Sequence, residues 1–174
     1  MNMTRCFLSI DLSKEIKDKI FSLSNELKDL KDVKVVEKEN LHITLRFFGD
    51  KSEKEIEDII KKLRNIRMNS FNIKISGAGS FPNEKFVRVL WIGVQSKELY
   101  ELAEKINALF SKERFESHIT IARVKKQNPL ISKFLDKNRN IDIGEMVVKK
   151  FVLKKSTLTP SGPIYEDLEE FILF

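Results

Sequence analysis

Apolar and polar positions alternate along this chain with two different periods. Segments in which every second residue is apolar, such as 71–75, are typical of strands that bury one face. Segments in which apolar residues recur at spacings of three and four, such as 14–31, are typical of amphipathic helices. In chain order, the pattern predicts strands over 5–12, 33–36, 41–48, 71–75, 86–94, 117–124, 145–159 and 164–174. It predicts helices over 14–31, from Ser52, from Ser96 and over 128–138.

Local chemistry predicts one helix start and one loop. Ser52 and Glu55 have the spacing of a capping box, in which each side chain binds the backbone amide of the other residue. Residues 77–82 are predicted to form a loop, because glycine, serine and proline interrupt the alternation there. This segment lacks the Lys-Ser/Thr pair of a phosphate-binding P-loop, so we do not assign it to nucleotide binding. The order strand–helix–strand–helix–strand occurs twice, which predicts two similar lobes within one domain over residues 1–174.

Two of the predicted strands share a short motif. The segments 42–45 and 118–121 are His-Ile-Thr-Leu and His-Ile-Thr-Ile, and they hold both histidines of the chain. Chance would place a threonine two residues after each histidine with a probability of about one in a thousand, given the low threonine content. On a strand, residues two apart share a face, so each strand would present one imidazole and one hydroxyl opposite its apolar face. If the strands adjoin, two imidazoles and two hydroxyls line one cleft.

Composition is compatible with a globular protein that binds a polyanion. The 174 residues are 41% hydrophobic and 33% charged, and the formal net charge is +6. A basic balance suits RNA, but it also occurs in proteins that bind no nucleic acid. Cys6 is the single cysteine, so there can be no intramolecular disulfide. The sequence shows no signal peptide and no membrane-length apolar segment, so the expected location is the cytoplasm.

A pair of imidazoles can supply both an acid and a base at neutral pH, because an unperturbed histidine titrates near pH 6.5. In-line displacement at phosphorus needs both: one group deprotonates the nucleophile and the other protonates the leaving oxygen. We therefore predict that His42 and His118 are catalytic. Thr44 and Thr120 would donate hydrogen bonds to the phosphate oxygens. Arg123 would add positive charge, although alternation places it on the core-facing side unless the strand ends or twists there.

Other interpretations of these residues are less complete. A metal site would need carboxylates from a distance, because neither histidine has another histidine or a cysteine nearby in the sequence. A threonine nucleophile beside its histidine would leave the duplication unexplained. Purely structural histidines would leave the two matching contexts unexplained as well. We expect no metal and no other cofactor.

The paired motifs resemble those of the two-histidine (2H) phosphoesterase superfamily, and in particular its LigT-like branch of RNA 2′,3′-cyclic phosphodiesterases, formerly called 2′-5′ RNA ligases. The segments 42–49, 118–123, 5–12, 88–94 and 161–165 carry this resemblance, which covers essentially the whole chain. It implies an α+β fold in which two antiparallel sheets, related by a pseudo-twofold axis, flank a central cleft with helices on the outside.

The resemblance also implies hydrolysis of RNA 2′,3′-cyclic phosphates to 2′-phosphates without a metal. At the matching positions, His42 would be the acid that protonates the departing 3′ oxygen. His118 would be the base that activates water. Thr44 and Thr120 would bind the phosphate, assisted by Arg123.

Two aromatic residues are further candidates. Phe48 and Tyr165 would either stack on the base or ribose or pack in the core. The expected partner is RNA that ends in a 2′,3′-cyclic phosphate, tRNA fragments included, and the expected state is a monomer that does not bind membranes. Three other functions stay open at this point: 2′-5′ ligation of tRNA halves, catalytically silent binding of RNA, and hydrolysis of small cyclic nucleotides.

Overall fold

Strands and helices alternate along residues 2–174, the part of the chain that the computed structural model describes. The strands of this part are β1 (Thr4–Asp11), β2 (Val33–Val35), β3 (His42–Lys51), β4 (Phe71–Pro82), β5 (Val87–Gln95), β6 (His118–Val124), β7 (Asp142–Val148), β8 (Lys150–Thr159) and β9 (Gly162–Ile172). The α-helices are α1 (Lys14–Ser24), α2 (Glu53–Leu63), α3 (Lys97–Leu109) and α4 (Pro129–Asn138). Short 3₁₀ turns cover Asn25–Leu27 and Lys38–Asn40. No helix among these residues is both long enough and apolar enough to span a bilayer.

The strands pair antiparallel in the order β7-β4-β5-β6-β3-β1-β8-β9, with β2 beside β6. Within the described residues, β3 and β6 are joined through a single residue pair, Ile43 with Ile119. The sheet therefore consists of two antiparallel halves, β7-β4-β5-β6 and β3-β1-β8-β9, that meet at the two motif strands. The predicted α+β class with two antiparallel sheets is confirmed, and this one pair makes the two sheets continuous.

The motif strand β3 contains a β-bulge directly after its His-x-Thr sequence. Thr44 pairs with Ser9 of β1 and Arg46 pairs with Leu8, the next residue of β1. Leu45 therefore has no partner and is the extra residue of the bulge. Leu45 and Arg46 are both buried as a result, at 6% and 8% exposure. The alternation is shifted by one residue from this point, and Phe47 emerges on the face that carries His42.

The motif strand β6 contains a bulge at the corresponding position. Ile121 is the extra residue between Thr120 and Ala122, and both Ile121 and Ala122 are fully buried. Arg123 is therefore exposed on the face of His118, where strict alternation would have turned it towards the core. Alternation carries no information about a bulge, and the irregularity in β6 is the exception that leaves Arg123 on the face of His118.

The core lies beneath the motif strands and extends into both halves of the sheet. Ile43 and Ile119 are fully buried on the face opposite the histidines, and they belong to one cluster of buried apolar residues. The helices contribute their apolar stripes to the same cluster, for example Ile16 of α1 and Ile106 of α3. The polar face of each motif strand is thus free to form a cleft, while its apolar face is held by the core.

Several predicted boundaries differ from the structure. The helix predicted over 14–31 ends at Ser24, whose hydroxyl donates to the carbonyl of Phe21, and a 3₁₀ turn follows. The predicted strand over 145–159 is two strands, β7 and β8, which are separated at Lys149 and lie in different halves of the sheet. The capping box of Ser52 and Glu55 is present as predicted.

The loop predicted over 77–82 is instead the second half of β4. Gly77 adopts a φ of +77°, which allows the strand to pass through a bulge and continue to pair with β5. Position 79 accommodates only glycine, because a Cβ there would overlap the ring of Trp91. The glycines in this segment therefore allow a bulge and a close ring contact within a strand, and do not mark its end.

Candidate active site

The two His-x-Thr sequences lie side by side on one face of the sheet. Because Ile43 pairs with Ile119 in antiparallel orientation, His42 lies opposite Thr120 and Thr44 lies opposite His118. In this register His42 and His118 are diagonal neighbours, and such neighbours in a regular antiparallel pair lie roughly 7–8 Å apart. The structure thus brings together all four residues that the motif predicts, around the pair that joins the two halves.

Both imidazoles are oriented by the main chain in the same way. The Nδ1 of His42 lies 2.7 Å from the carbonyl oxygen of Asn40, and the Nδ1 of His118 lies 2.8 Å from the carbonyl oxygen of Glu116. A carbonyl oxygen only accepts hydrogen bonds, so each Nδ1 must carry a proton and donate it. This assignment leaves each Nε2 as the nitrogen that can take up or release a proton.

The surroundings of His42 are crowded and contain polar groups. Its Nε2 is 2.9 Å from the hydroxyl of Thr44, which donates to it when the imidazole is neutral. Phe7 lies against the ring at a centroid distance of 5.2 Å, and Tyr165 meets it edge-on at 5.4 Å. The ring is therefore fixed on three sides: by a carbonyl, by a hydroxyl and by two aromatic rings.

The surroundings of His118 are less polar and less enclosed. Phe81 meets the imidazole edge-on at a centroid distance of 4.9 Å, and Trp91 lies behind Phe81 at 5.4 Å. Among the described residues, His118 has no hydrogen bond with Thr120 like the one that His42 accepts from Thr44. The hydroxyl of Thr120 is consequently available to a ligand.

Burial lowers the pKa of both histidines. For His42, removal from water is the largest effect; the hydrogen bond to Asn40 opposes it, and the positive charge of Lys154 adds to it. For His118, removal from water is again the largest effect, the carbonyl and carboxylate of Glu116 oppose it, and Arg123 adds to it. Both imidazoles are therefore neutral at pH 7 when no anion is bound, and a bound phosphate would favour protonation.

Lys154 is a cation of this site that the sequence did not reveal. Its side chain is only 12% exposed, and its ammonium lies 3.0 Å from Asp11 and 2.8 Å from Asp167. Burial lowers the pKa of Lys154, but the hydrogen bonds to these two carboxylates outweigh burial and raise it. The lysine therefore stays charged beside His42.

The structure places Tyr165 beside His42 and Phe48 on the core side of β3. Burial raises the pKa of Tyr165, and the positive charges of Arg123 and Lys154 oppose this rise. Phe48 packs against Phe110, directly after α3, at a centroid distance of 5.0 Å on the core side of β3.

The structure does not bring Phe48 to the histidines, and Phe47 occupies that position instead. Phe47 is 64% exposed on the face of His42, with its ring 6.1 Å from that of Phe7. Aligning the two motifs residue by residue would have identified it, because Phe47 follows His42 at the spacing at which Arg123 follows His118. No sequence signal indicated Lys154.

Two other features of the structure bear on ligand binding. Within residues 2–174, no three side chains of His, Cys, Asp or Glu lie close enough together to hold a metal ion. An open cavity of about 770 Å³ lies at the start of β4, lined in part by Phe71, Lys74 and Glu145, and it does not include the histidines.

Comparison with known proteins identifies the family of this arrangement. A family model described as LigT-like phosphoesterase matches the chain twice, over residues 10–91 and 92–165, and each match contains one His-x-Thr motif. A protein of Archaeoglobus fulgidus named RNA 2′,3′-cyclic phosphodiesterase is 41% identical over 174 residues, covering 96% of this chain and 99% of its own. A protein of the same name from Methanocaldococcus jannaschii is 38% identical, with the same coverage of both chains.

Solved structures give the same result for the fold. A crystal structure of a Thermus thermophilus protein superposes with a TM-score of 0.82 at 28% identity and covers 97% of both chains. The crystal structure of E. coli LigT complexed with phosphate superposes with a TM-score of 0.80 at 25% identity and covers 99% of both chains. On these matches, the chain belongs to the LigT-like phosphoesterase family.

Proposed function

We propose that this protein hydrolyses the 2′,3′-cyclic phosphate end of RNA to a 2′-phosphate, and that its two histidines do so without a metal. The observation that carries the proposal is the paired arrangement of His42 and His118, each anchored through Nδ1 and each with its Nε2 left for proton transfer. The relatives named RNA 2′,3′-cyclic phosphodiesterase support the choice of substrate.

The reaction needs one proton to be removed and one to be supplied. Nε2 of His118 takes a proton from a water molecule as the water oxygen bonds to phosphorus. The bond from phosphorus to O3′ breaks, and Nε2 of His42 donates a proton to O3′, which leaves as a hydroxyl. Each of these roles is typically worth a factor of about 10² to 10⁴ in rate. Exchange of protons with solvent then restores the starting forms of both imidazoles.

Three further side chains would hold the phosphate in line. The hydroxyl of Thr120 can donate to a non-bridging oxygen, and that of Thr44 can do so once His42 is protonated and no longer accepts its proton. Arg123 is exposed on the same face through the bulge in β6, so its guanidinium can neutralise the charge that builds up on the phosphate.

Phe47 and Tyr165 are the aromatic groups proposed to contact the nucleoside. Phe47 is exposed and backed by Phe7, so a base can stack on its free face. Tyr165 covers the edge of His42 and has a hydroxyl within reach of a ribose or phosphate. Phe48 is not proposed for this role because it packs against Phe110.

We also propose the setting in which the enzyme acts. Both histidines come from one chain and the two halves share one buried core, which supports a single bilobal domain over 1–174 that works as a monomer. Its RNA substrates would be fragments with cyclic phosphate ends, tRNA fragments among them, and the cytoplasm would be the place of action.

The proposal is tested with a short RNA that ends in a 2′,3′-cyclic phosphate, incubated with the protein in excess EDTA. We expect a 2′-phosphomonoester, identified by its mass, its sensitivity to phosphomonoesterase and its resistance to a 3′-specific phosphatase. A 3′-phosphate product, or activity that is lost in EDTA and restored by a divalent cation, would overturn the mechanism. The His42→Asn/His118→Asn double variant, with its fold checked by circular dichroism, is the control for contaminating enzymes.

The assignment of acid and base has its own test. A substrate with sulfur in place of O3′ has a leaving group that needs no protonation. We expect the His42→Ala variant to recover much of its lost rate on this substrate and the His118→Ala variant to recover little. The opposite pattern would exchange the two roles.

A further inference from the structure

Lys34 is a second cation on the face of the sheet that holds the histidines. It lies in β2, which extends the sheet beside β6 just beyond the point where β3 diverges from it. Val33 and Val35, on either side of Lys34, pack against the core, so the lysine side chain points to the opposite, solvated face. Nothing in the sequence singled out this residue.

Lys34 is paired directly with Arg123. Residues that face each other on antiparallel strands have their side chains on the same side of the sheet, with Cβ atoms about 4.5–5.5 Å apart. Like charges in this position repel each other and destabilise the sheet. An anion bound between or above the two side chains would relieve this repulsion.

No carboxylate of the protein supplies that anion. The structure contains sixteen ion pairs among residues 2–174, and neither Lys34 nor Arg123 takes part in any of them. By contrast, the partly buried Lys154 on the other side of the cleft contacts two carboxylates. The position of Lys34 and Arg123 is therefore a site of uncompensated positive charge.

The β8–β9 hairpin bounds this site on the far side. The ammonium of Lys34 lies 3.9 Å from the position that a Cβ on Gly162 would take, at the first residue of β9. The side chain of Asn40 donates to the carbonyl oxygen of Pro163 at 3.0 Å and ties the segment before β3 to the hairpin. Tyr165 follows on the same strand, within the electrostatic influence of Arg123.

We propose that Lys34, with Arg123 beside it, binds the phosphodiester that precedes the terminal nucleotide of the RNA. This inference rests on the proposed function, in which Thr44 and Thr120 hold the reacting phosphate. Along β6 and β2, Arg123 lies between those hydroxyls and Lys34. Hydrogen-bond donors are therefore present both at the reacting phosphate and at the position of the preceding one. The subsite makes the enzyme prefer the end of an RNA chain to a free cyclic mononucleotide, which has no second phosphate.

The test compares three substrates: 2′,3′-cyclic AMP, the dinucleotide ApA with a 2′,3′-cyclic phosphate, and the same dinucleotide with a neutral methylphosphonate in place of its internal diester. Wild-type enzyme should have its highest kcat/KM on the diester dinucleotide. Lys34→Ala should lower kcat/KM on that substrate about fivefold, through KM, because one exposed charge pair is lost. It should leave the other two substrates within error of wild type, and Lys34→Arg should restore the preference.

Salt dependence gives a second, independent measurement. Loss of one phosphate contact should make the slope of log kcat/KM against log salt concentration shallower by about 0.7 for the diester dinucleotide. Lys105→Ala, an exposed lysine on α3, is the matched control, and its slope and substrate preference should equal those of wild type.

The outcomes separate this inference from the function on which it rests. Equal losses on all three substrates, or no loss on any, would overturn the subsite while the hydrolase activity stands. If wild-type enzyme turns over none of the three, the proposed function fails and the subsite fails with it.

Discussion

The two halves of the site are built alike at the histidines and differently around them. In both halves a histidine donates from Nδ1 to the carbonyl two residues earlier, and in both a bulge follows the threonine. Around His42, however, lie Tyr165 and the charged Lys154, whereas around His118 lie Phe81 and Trp91. The same local geometry thus fixes the direction of each reactive nitrogen, while different neighbours give the two imidazoles different surroundings.

The bulges make a second difference between the halves. The residue that emerges after the bulge is Phe47 on the His42 side and Arg123 on the His118 side. One half therefore offers an aromatic surface and the other a positive charge, at equivalent positions. A nucleotide has one aromatic part and one anionic part, so a substrate placed across the cleft can use both halves at once.

The largest expected effect is the loss of either histidine. His42→Ala and His118→Ala should each reduce kcat by about 10² to 10⁴ on an RNA with a cyclic phosphate end, because each removes one proton-transfer role. The effects should not multiply in the double variant, since the two imidazoles act in one step. The measurement is single-turnover hydrolysis with thermal unfolding as the check on folding. If one variant kept most of its activity, that half would not take part in proton transfer.

An intermediate effect is expected at the equivalent positions after the bulges. Arg123→Ala should lower kcat about 10- to 100-fold, because a hydrogen bond to a charged phosphate is lost. Phe47→Ala should mainly raise KM, about tenfold, because a stacked base loses its platform. Steady-state kinetics on the cyclic dinucleotide separates the two.

Phe48→Ala is the matched control for Phe47, since the two residues are adjacent and point to opposite faces. It should lower the unfolding temperature and leave KM nearly unchanged, because Phe48 packs against Phe110. A larger change in KM for Phe48→Ala than for Phe47→Ala would mean that Phe48, and not Phe47, contacts the substrate.

The smallest expected effect concerns pH. The pKa values of both folded histidines are lowered by burial, whereas in the unfolded chain they lie near 6.5. Below pH 6.5 the unfolded state therefore binds more protons than the folded state, and the free energy of unfolding should fall as the pH falls through this window. Between pH 7.5 and 8.5 the histidines should contribute no pH dependence. Thermal unfolding from pH 5 to 8.5 measures this.

Lys154→Met tests whether the charge of Lys154 acts on the pKa of His42 and not on that of His118. Removing that charge should raise the pKa of His42 and leave the pKa of His118 in place, as followed by NMR of the two imidazole signals. Lys155→Met, which removes the neighbouring charge paired with Glu166, is the control and should move neither signal. Equal shifts of both pKa values would contradict a direct charge effect of Lys154 on His42 and would point to a change in the fold.

The sequence predicted the parts of this fold that follow from regular spacing. The two motif strands, the capped helix after Ser52 and the face shared by His42 and Thr44 all depend on periods of two or 3.6 residues, and all are present. The bulges at Leu45 and Ile121 break that period by one residue. A bulge is set by the pairing with the neighbouring strand, which no single segment encodes, and so regular alternation places Phe47, Phe48 and Arg123 on the wrong faces; only the alignment of the two motifs relates Phe47 to Arg123.

The remaining residues of the site come from distant parts of the chain. Lys154 and Lys34 reach the cleft only because β8 and β2 are added to opposite halves of the sheet. Each is an ordinary lysine in a chain that is rich in lysine, so composition does not distinguish them. Long-range pairing of strands has to be known before either residue can be assigned.

The carbonyl anchors of the histidines also affect how freely this site can change. Every residue has a carbonyl, so positions 40 and 116 need no particular side chain to orient an imidazole, and they hold the unrelated residues Asn40 and Glu116. The two side chains are instead used elsewhere: Asn40 fastens the β8–β9 hairpin and Glu116 forms an ion pair with Arg114. Natural variation at these two positions can therefore alter the rim of the cleft without disturbing the orientation of either imidazole, although at position 116 it would also change a charge that acts on the pKa of His118.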